Sequence, residues 1–234
     1  RRLDDAGASL EQLHGAMKAM TIAFSSNVRR ATVDPATWLE LVQPTFPWSA
    51  EAEEPGRLEA GPSGSQVGTI QALDSALGVV GGSSLAQLAE AGRRYMPIPH
   101  RRFLRTLAGA GPVIRAVVRE SGCQELTEAF DNCIGALSSF RATHQARGAQ
   151  YLRNDQKGTG ARASTGLTIG VDDDDPIATF KTTMAARMGE TEAATLVSVG
   201  RRRGSRGEVT GPAGTVPAPP EACSRPRGQR SWRR

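Results

Sequence analysis

The sequence predicts an all-α protein, a helical bundle, and three observations carry that prediction. Apolar residues recur at spacings of three and four in segment after segment, the period of one helix face. No stretch shows the strict alternation of a half-buried strand. Helix start and stop signals fall where the periodic segments begin and end. The composition agrees: of 234 residues, 38% are hydrophobic and 23% charged, as expected for a chain able to build a core.

Leu10, Leu13, Met17, Met20 and Phe24 form the first stripe. Asp34-Pro35 then supplies an N-cap with proline at the first helical position, opening a short helix with Trp38, Leu41 and Val42. Residues 43–64 hold Pro44, Pro47, Pro55, Gly56, Gly61, Pro62 and Gly64 and read as a loop. A helix from about Gln66 to Val80 follows, with Gly81-Gly82 as its expected end. Ser83-Ser84 caps the next helix, which turns Leu85, Leu88 and Ala91 inward. Pro97 and Pro99 fix the entry to a helix holding Phe103, Leu104 and Leu107, and a separate helix is expected over Val113–Val118.

The longest pattern runs from Leu126 to Leu152. Its stripe is Leu126, Phe130, Cys133, Leu137, Phe140, His144, Gly148 and Tyr151, so a histidine lies within an apolar face. Asp172 to Asp175 and Pro176 precede a last helix with Ile177, Phe180, Met184 and Met188, the aspartates suiting its positive end.

The pI of 9.6 invites a nucleic-acid reading, but the charge is not spread over the chain. Residues 201–234 hold nine arginines against Glu208 and Glu221, a net of +7, which leaves the first 200 residues at −2 from the total of +5. The organisation is therefore a helical domain over 1–200 and a basic Arg/Gly/Pro-rich tail over 201–234, expected to be disordered. Such a tail supplies non-specific attraction without readout of bases. Cys123, Cys133 and Cys223 form no CxxC pair and read as reduced thiols of a cytoplasmic protein. No secretory leader is seen and no apolar run suits a bilayer. A monomer with neither a membrane nor a specific nucleic-acid partner is expected.

Of the three histidines, His14, His100 and His144, no two are paired at helical spacing for zinc. A haem needs one strong axial ligand on a rigid helix, an apolar slot, and a cation for its propionates. His144 meets the first need, and Arg141 lies one turn back. The plain alternative is a satisfied boundary histidine with Arg141 reaching to solvent.

Four ordered motifs add to this reading. Arg93-Arg94-Tyr95-Met96-Pro97-Ile98-Pro99-His100-Arg101-Arg102-Phe103-Leu104 resembles the "YMPxxHRxFL" signature of the indoleamine 2,3-dioxygenase family. Gly61-Pro62-Ser63-Gly64-Ser65-Gln66 with Gln71, Asp74 and Leu77-Gly78 resembles that family's "GxSAGQS…Q…D…LG" stretch. Ser139-Phe140-Arg141-Ala142-Thr143-His144 with Tyr151 resembles its proximal-histidine helix, and Lys157-Gly158-Thr159-Gly160 its "GTG" loop. The resemblance implies haem b, with O2 as co-substrate. The reaction implied is oxidative cleavage of the C2–C3 bond of a small indole, L-tryptophan, to N-formylkynurenine. His144 would ligate iron, Arg141 would meet a propionate, and Asp74 would join a polar network at the haem edge. Ser63 and Gly64 would line the distal face, and Thr159 with Gly158 and Gly160 would close over the substrate. Residues 95–104 are assigned to packing.

The sequence also departs from the family. The resemblance implies a smaller N-terminal helical domain ahead of the large one, within which this chain begins. Trp38 takes an aromatic substrate position, while Gln43 stands where the family has an arginine for the substrate carboxylate. A neutral amide there loses the charge-assisted pair. Ala161 replaces a second glycine after the loop motif. These departures leave open a related haem protein that acts on another indole or does not turn over.

Overall fold

A computed structural model describes residues 2–42, 67–151 and 176–197. Among them are α1 (Arg2–Asn27), α2 (Pro35–Thr37, continued by a wider π turn over Trp38–Val42), α3 (Gly68–Ala76) and α4 (Ser84–Gly92). They are followed by α5 (Ile98–Glu120), α6 (Gln124–Gly148, with a 3-10 turn over Ala149–Tyr151) and α7 (Pro176–Glu192). No strand occurs among the described residues, so the all-α prediction holds. Gln43, Ser63, Gly64, Gly158, Thr159, Gly160, the 43–64 loop and the 201–234 tail lie outside the described residues.

The bundle is organised around α6, which packs against α1 on one side and α7 on another, with α3 set against α5. Phe130, Cys133 and Leu137 on α6 are fully buried, and Met17, Leu77 and Val118 come to them from α1, the end of α3 and α5. All five residues of the α1 stripe are buried or half-buried, as the three-and-four spacing requires. The Cys133 thiol donates to the carbonyl of Leu10, and burial pushes its pKa up to about 11, so it packs as a small apolar group.

Three boundaries differ from the sequence expectation. Helix α3 stops at Leu77 rather than at Gly81-Gly82. Gly78 adopts φ 63°, its N–H donates to the Ser75 carbonyl at 3.2 Å, and the Val79 N–H donates to that of Asp74 at 2.9 Å. This is a Schellman cap, which satisfies carbonyls that the last turn would leave orphaned. The apolar run Leu77, Val79, Val80 hid that stop.

The two helices expected on either side of Pro112 form one, α5. At Gly111 a Cβ would collide with the Ser75 carbonyl oxygen, so the backbone of α5 lies directly on the end of α3. That close packing outweighs the poor helix propensity of the Gly109–Pro112 run. In α4, Ser83 is the N-cap, accepting from the Ala86 N–H, and Leu85 and Leu88 are half-buried, but Ala91 is exposed. At the entry to α5, Met96 and Leu104 are buried while Tyr95, Ile98 and Phe103 are exposed, so only part of the segment expected to pack, residues 95–104, faces inward.

Candidate functional site

The C-terminal half of α6 carries Arg141 and His144 on neighbouring faces, and they lead into different surroundings. His144 is half-buried and meets one phenylalanine from each of three helices. Its ring centroid lies 5.7 Å from that of Phe24 on α1, 6.3 Å from Phe140 on α6 and 6.2 Å from Phe180 on α7. Burial lowers the pKa of His144 below its ordinary value, so the imidazole is neutral at pH 7. One turn further, Gly148 leaves the space that Phe180 occupies, since a Cβ there would come within 2.8 Å of the phenylalanine ring. The α6 stripe ends on Tyr151, whose ring meets Trp38 edge-on at 6.0 Å and whose hydroxyl donates to the Val33 carbonyl at 3.0 Å. Trp38 thus packs against the turn that follows α6.

Arg141 is 4% exposed and faces α3 and α7. Its guanidinium donates to Asp74 Oδ1 at 2.5 Å and to the Thr191 hydroxyl. The other Asp74 oxygen, Oδ2, accepts from Arg187 Nη2 at 2.7 Å. Arg187 Nη1 pairs with Glu190 Oε2 at 2.6 Å, and Glu190 Oε1 accepts the Gly82 and Ser83 amides, each at 2.6 Å. The Ser83 hydroxyl adds a bond to Glu190 Oε2 at 2.8 Å. Two arginines and two carboxylates therefore make a neutral cluster that joins α3, α6, α7 and the start of α4.

The electrostatics follow from burial and pairing. Desolvation lowers the Arg141 pKa despite the Asp74 charge. For Arg187 desolvation also acts downward, but Asp74 and Glu190 outweigh it and the pKa is raised. Burial alone would raise the Glu190 pKa, but hydrogen bonds from Arg187, Ser83 and Gly82 bring it down to about 2.

The structure joins Asp74 and Arg141 directly, a partnership that the sequence reading, which placed both at the haem edge, did not name. The physical reason is helical phase. Phe130, Ile134, Leu137 and Arg141 step by four, three and four along one inward face, so Arg141 is delivered to the core, where only a carboxylate makes a buried cation tolerable.

Arg187, Glu190 and Thr191 were missed altogether. The same signal would have found the face they share, because Phe180, Met184, Arg187 and Thr191 also step by four, three and four on α7.

Comparison with known proteins decides the kinship. The family model for indoleamine 2,3-dioxygenase matches residues 37–216. The chain belongs to the indoleamine 2,3-dioxygenase family. It is 31% identical to an indoleamine 2,3-dioxygenase of Saccharomyces cerevisiae over 164 residues, 64% of this chain and 36% of the yeast protein. Against indoleamine 2,3-dioxygenase 1 of Rattus norvegicus it is 38% identical over 88 residues, 36% of this chain and 21% of the rat protein. A protein of Haliotis madaka named myoglobin is 30% identical over 92 residues, 39% of this chain and 24% of that protein. The chain thus spans between about a fifth and just over a third of the length of these relatives.

Members of such a family call for a haem, and the residues fit one by their chemistry. A ligating imidazole must be neutral, held on a rigid element and bordered by apolar walls, and His144 satisfies all three. Arg141, one turn away, uses two of its five N–H groups on Asp74 and Thr191, so its fork has further donors for an anionic group.

Proposed function

We propose that the chain is the haem-binding part of a dioxygenase that cleaves the C2–C3 bond of an indole, L-tryptophan in the first instance, to give N-formylkynurenine. The observation that carries this reading is the neutral His144 inside its phenylalanine cluster, one turn from a buried arginine, in a chain of this family. The haem, once bound, supplies oxygen activation at its iron and the redox chemistry of the reaction.

The contribution of the chain itself is binding, orientation and exclusion of water. His144 would hold the haem iron through its imidazole, which the surrounding phenylalanine rings shield from water and keep unprotonated. Arg141 would meet a propionate while keeping its bond to Asp74. Trp38 offers an aromatic wall to the indole. By the family resemblance, Ser63 and Gly64 would lie on the distal side beside the substrate, and Thr159 with Gly158 and Gly160 would meet its amino and carboxylate groups. No acid–base pair is needed for this role, because positioning is what the side chains supply.

Reconstitution of the full chain with haem, followed by absorption spectroscopy, tests the assignment. The parent is expected to bind haem with a Soret band typical of histidine ligation, and His144→Ala to lose that band and most of the affinity. Equal affinity and an identical band in the two proteins overturn the assignment.

A second reading has its own support. Gln43 stands where the family pattern has an arginine for the substrate carboxylate, and one relative is named myoglobin rather than dioxygenase. On that reading the chain is a haem protein acting on another indole, or binding without turnover. Mass spectrometry of products from a panel of indoles separates the two, since abundant N-formylkynurenine from L-tryptophan excludes the second.

A further inference from the structure

The charged cluster contains more cation than Asp74 alone requires. Asp74 is 8% exposed and its two oxygens are held by two different arginines, from α6 and from α7. One guanidinium would satisfy a single buried carboxylate by a bidentate fork, and here the fork is split. The second arginine, Arg187, is itself held by Glu190, which is anchored on the Gly82 and Ser83 amides at the start of α4. Thr191, on the same face of α7, ties the remaining side of Arg141 and returns its own hydroxyl hydrogen to the Arg187 carbonyl at 2.9 Å. The position of Asp74 is therefore set from two directions, by the Schellman cap on its own carbonyl and by Arg187 on its side chain.

We propose that Arg187 is a positioning residue of the site: by holding the second oxygen of Asp74, with Glu190 behind it, it fixes the carboxylate against which Arg141 is aimed, one turn before His144. This rests on the haem reading given above. Without Arg187 the Asp74 carboxylate swings fully onto Arg141, takes both sides of its fork, and withdraws the donors that a propionate needs. With Arg187 in place Asp74 occupies one N–H of Arg141 and Thr191 a second, which leaves three of the five. Glu190 keeps Arg187 from turning to any other anion, and its own link to the α4 start makes the arrangement dependent on the seating of that helix.

The test compares haem b with haem dimethyl ester, whose propionates are masked, in the full chain. Release of each pigment to a scavenging apo-globin is timed for the parent, Arg187→Met, Arg187→Lys, Glu190→Gln and His144→Ala, with far-UV circular dichroism as the fold control. Arg187→Met is expected to release haem b roughly ten-fold or more faster than the parent, the usual scale for loss of an outer partner of a ligating group. Arg187→Lys restores part of that loss. Release of the ester stays within about two-fold of the parent in every Arg187 variant, because no carboxylate is present for Arg141 to meet.

Parent-like release of haem b by Arg187→Met overturns the proposal, as does equal acceleration of haem b and ester, which marks general damage. If Arg187→Met does not fold, Glu190→Gln carries the test, with faster release of haem b alone supporting the proposal and parent-like release of both overturning it. His144→Ala separates the two levels. Loss of both pigments there, beside a parent-like Arg187→Met, sinks only the Arg187 role, while parent-like retention in His144→Ala sinks the haem reading and this inference with it.

Discussion

Asp74→Asn is the substitution that most directly probes the charge cluster. The two side chains have nearly the same shape, so no cavity forms and the change is electrostatic. Asp74 is the anion shared by Arg141 and Arg187, whose side chains are 5% and 10% exposed. Asparagine keeps one carbonyl oxygen for one arginine and turns an NH2 toward the other, setting donor against donor. Leaving a buried cation without its partner costs about 3–5 kcal/mol. That is a large share of the roughly 5–15 kcal/mol by which domains are stable. For a chain of this size each kcal/mol moves the melting point by about 2–4 °C, so a fall of about 6–20 °C is expected. Thermal unfolding of the full chain at pH 7, followed by circular dichroism, measures it. A companion variant, Asp74→Leu with Arg141→Met and Arg187→Met, removes the charges together and is expected to melt well above Asp74→Asn, since apolar replacement of a whole buried ion cluster is often neutral. A single mutant that melts within about 2 °C of the parent, or a triple mutant no better than the single, refutes the reasoning.

Phe130→Ala, at a side chain with no exposure, should cost about 3–5 kcal/mol in urea unfolding with an unchanged m-value. Gly111→Ala drives a methyl into the Ser75 carbonyl and should cost about 1–3 kcal/mol, whereas Gly109→Ala, where a Cβ meets nothing within 4 Å, should be neutral or stabilising on the same assay. Glu190 has its pKa lowered from 4.5 to about 2, so its contribution is complete above pH 4.5 and is lost as pH falls toward 2. Its partial exposure reduces that contribution to on the order of 1–2 kcal/mol, and Glu190→Gln should flatten the acid limb of the stability–pH curve accordingly. His144 also has a lowered pKa, so in the apo-protein stability is retained above the ordinary value of 6.5 and declines below it, where the unfolded chain takes up the proton first. His144→Phe should abolish that decline.

The helical architecture was legible because it depends on spacing. The α1 and α6 stripes, the Asp34 and Ser83 caps and the place of His144 on an apolar face all follow from residues that can be counted along the chain. What could not be counted was which distant elements would meet. The stop at Gly78 was locally signalled by the glycine itself and masked by the apolar run around it, whereas the continuity of α5 through Pro112 goes with the backbone of Gly111 lying against the end of α3, which no local propensity reports. The partnership of Arg141 with Asp74 joins residues 67 positions apart, and that of Arg187 with Asp74 spans 113. Charged residues on an inward helical face signal that a partner exists, without naming it. Arg141 was noticed because it precedes a histidine, and Arg187, between Met184 and Met188, was passed over for want of such a neighbour.

Helix α6 bears Phe130 and Leu137 for the core, Arg141 for the charged cluster and His144 for the aromatic one, with no break in between. That continuity makes the segment intolerant of changes in length. A single residue inserted between Leu126 and Arg141 would turn everything beyond it by about 100°, carrying Arg141 away from Asp74 and His144 out of its phenylalanine cluster at once. An insertion of seven, close to two full turns, would leave the residues within about 20° of their faces but slide them along the axis by about 10 Å, past the partners on α1, α3 and α7. Substitution can therefore explore this helix position by position, but insertion and deletion cannot, and the spacing from Leu126 to His144 should be the most rigid ruler in any set of related chains.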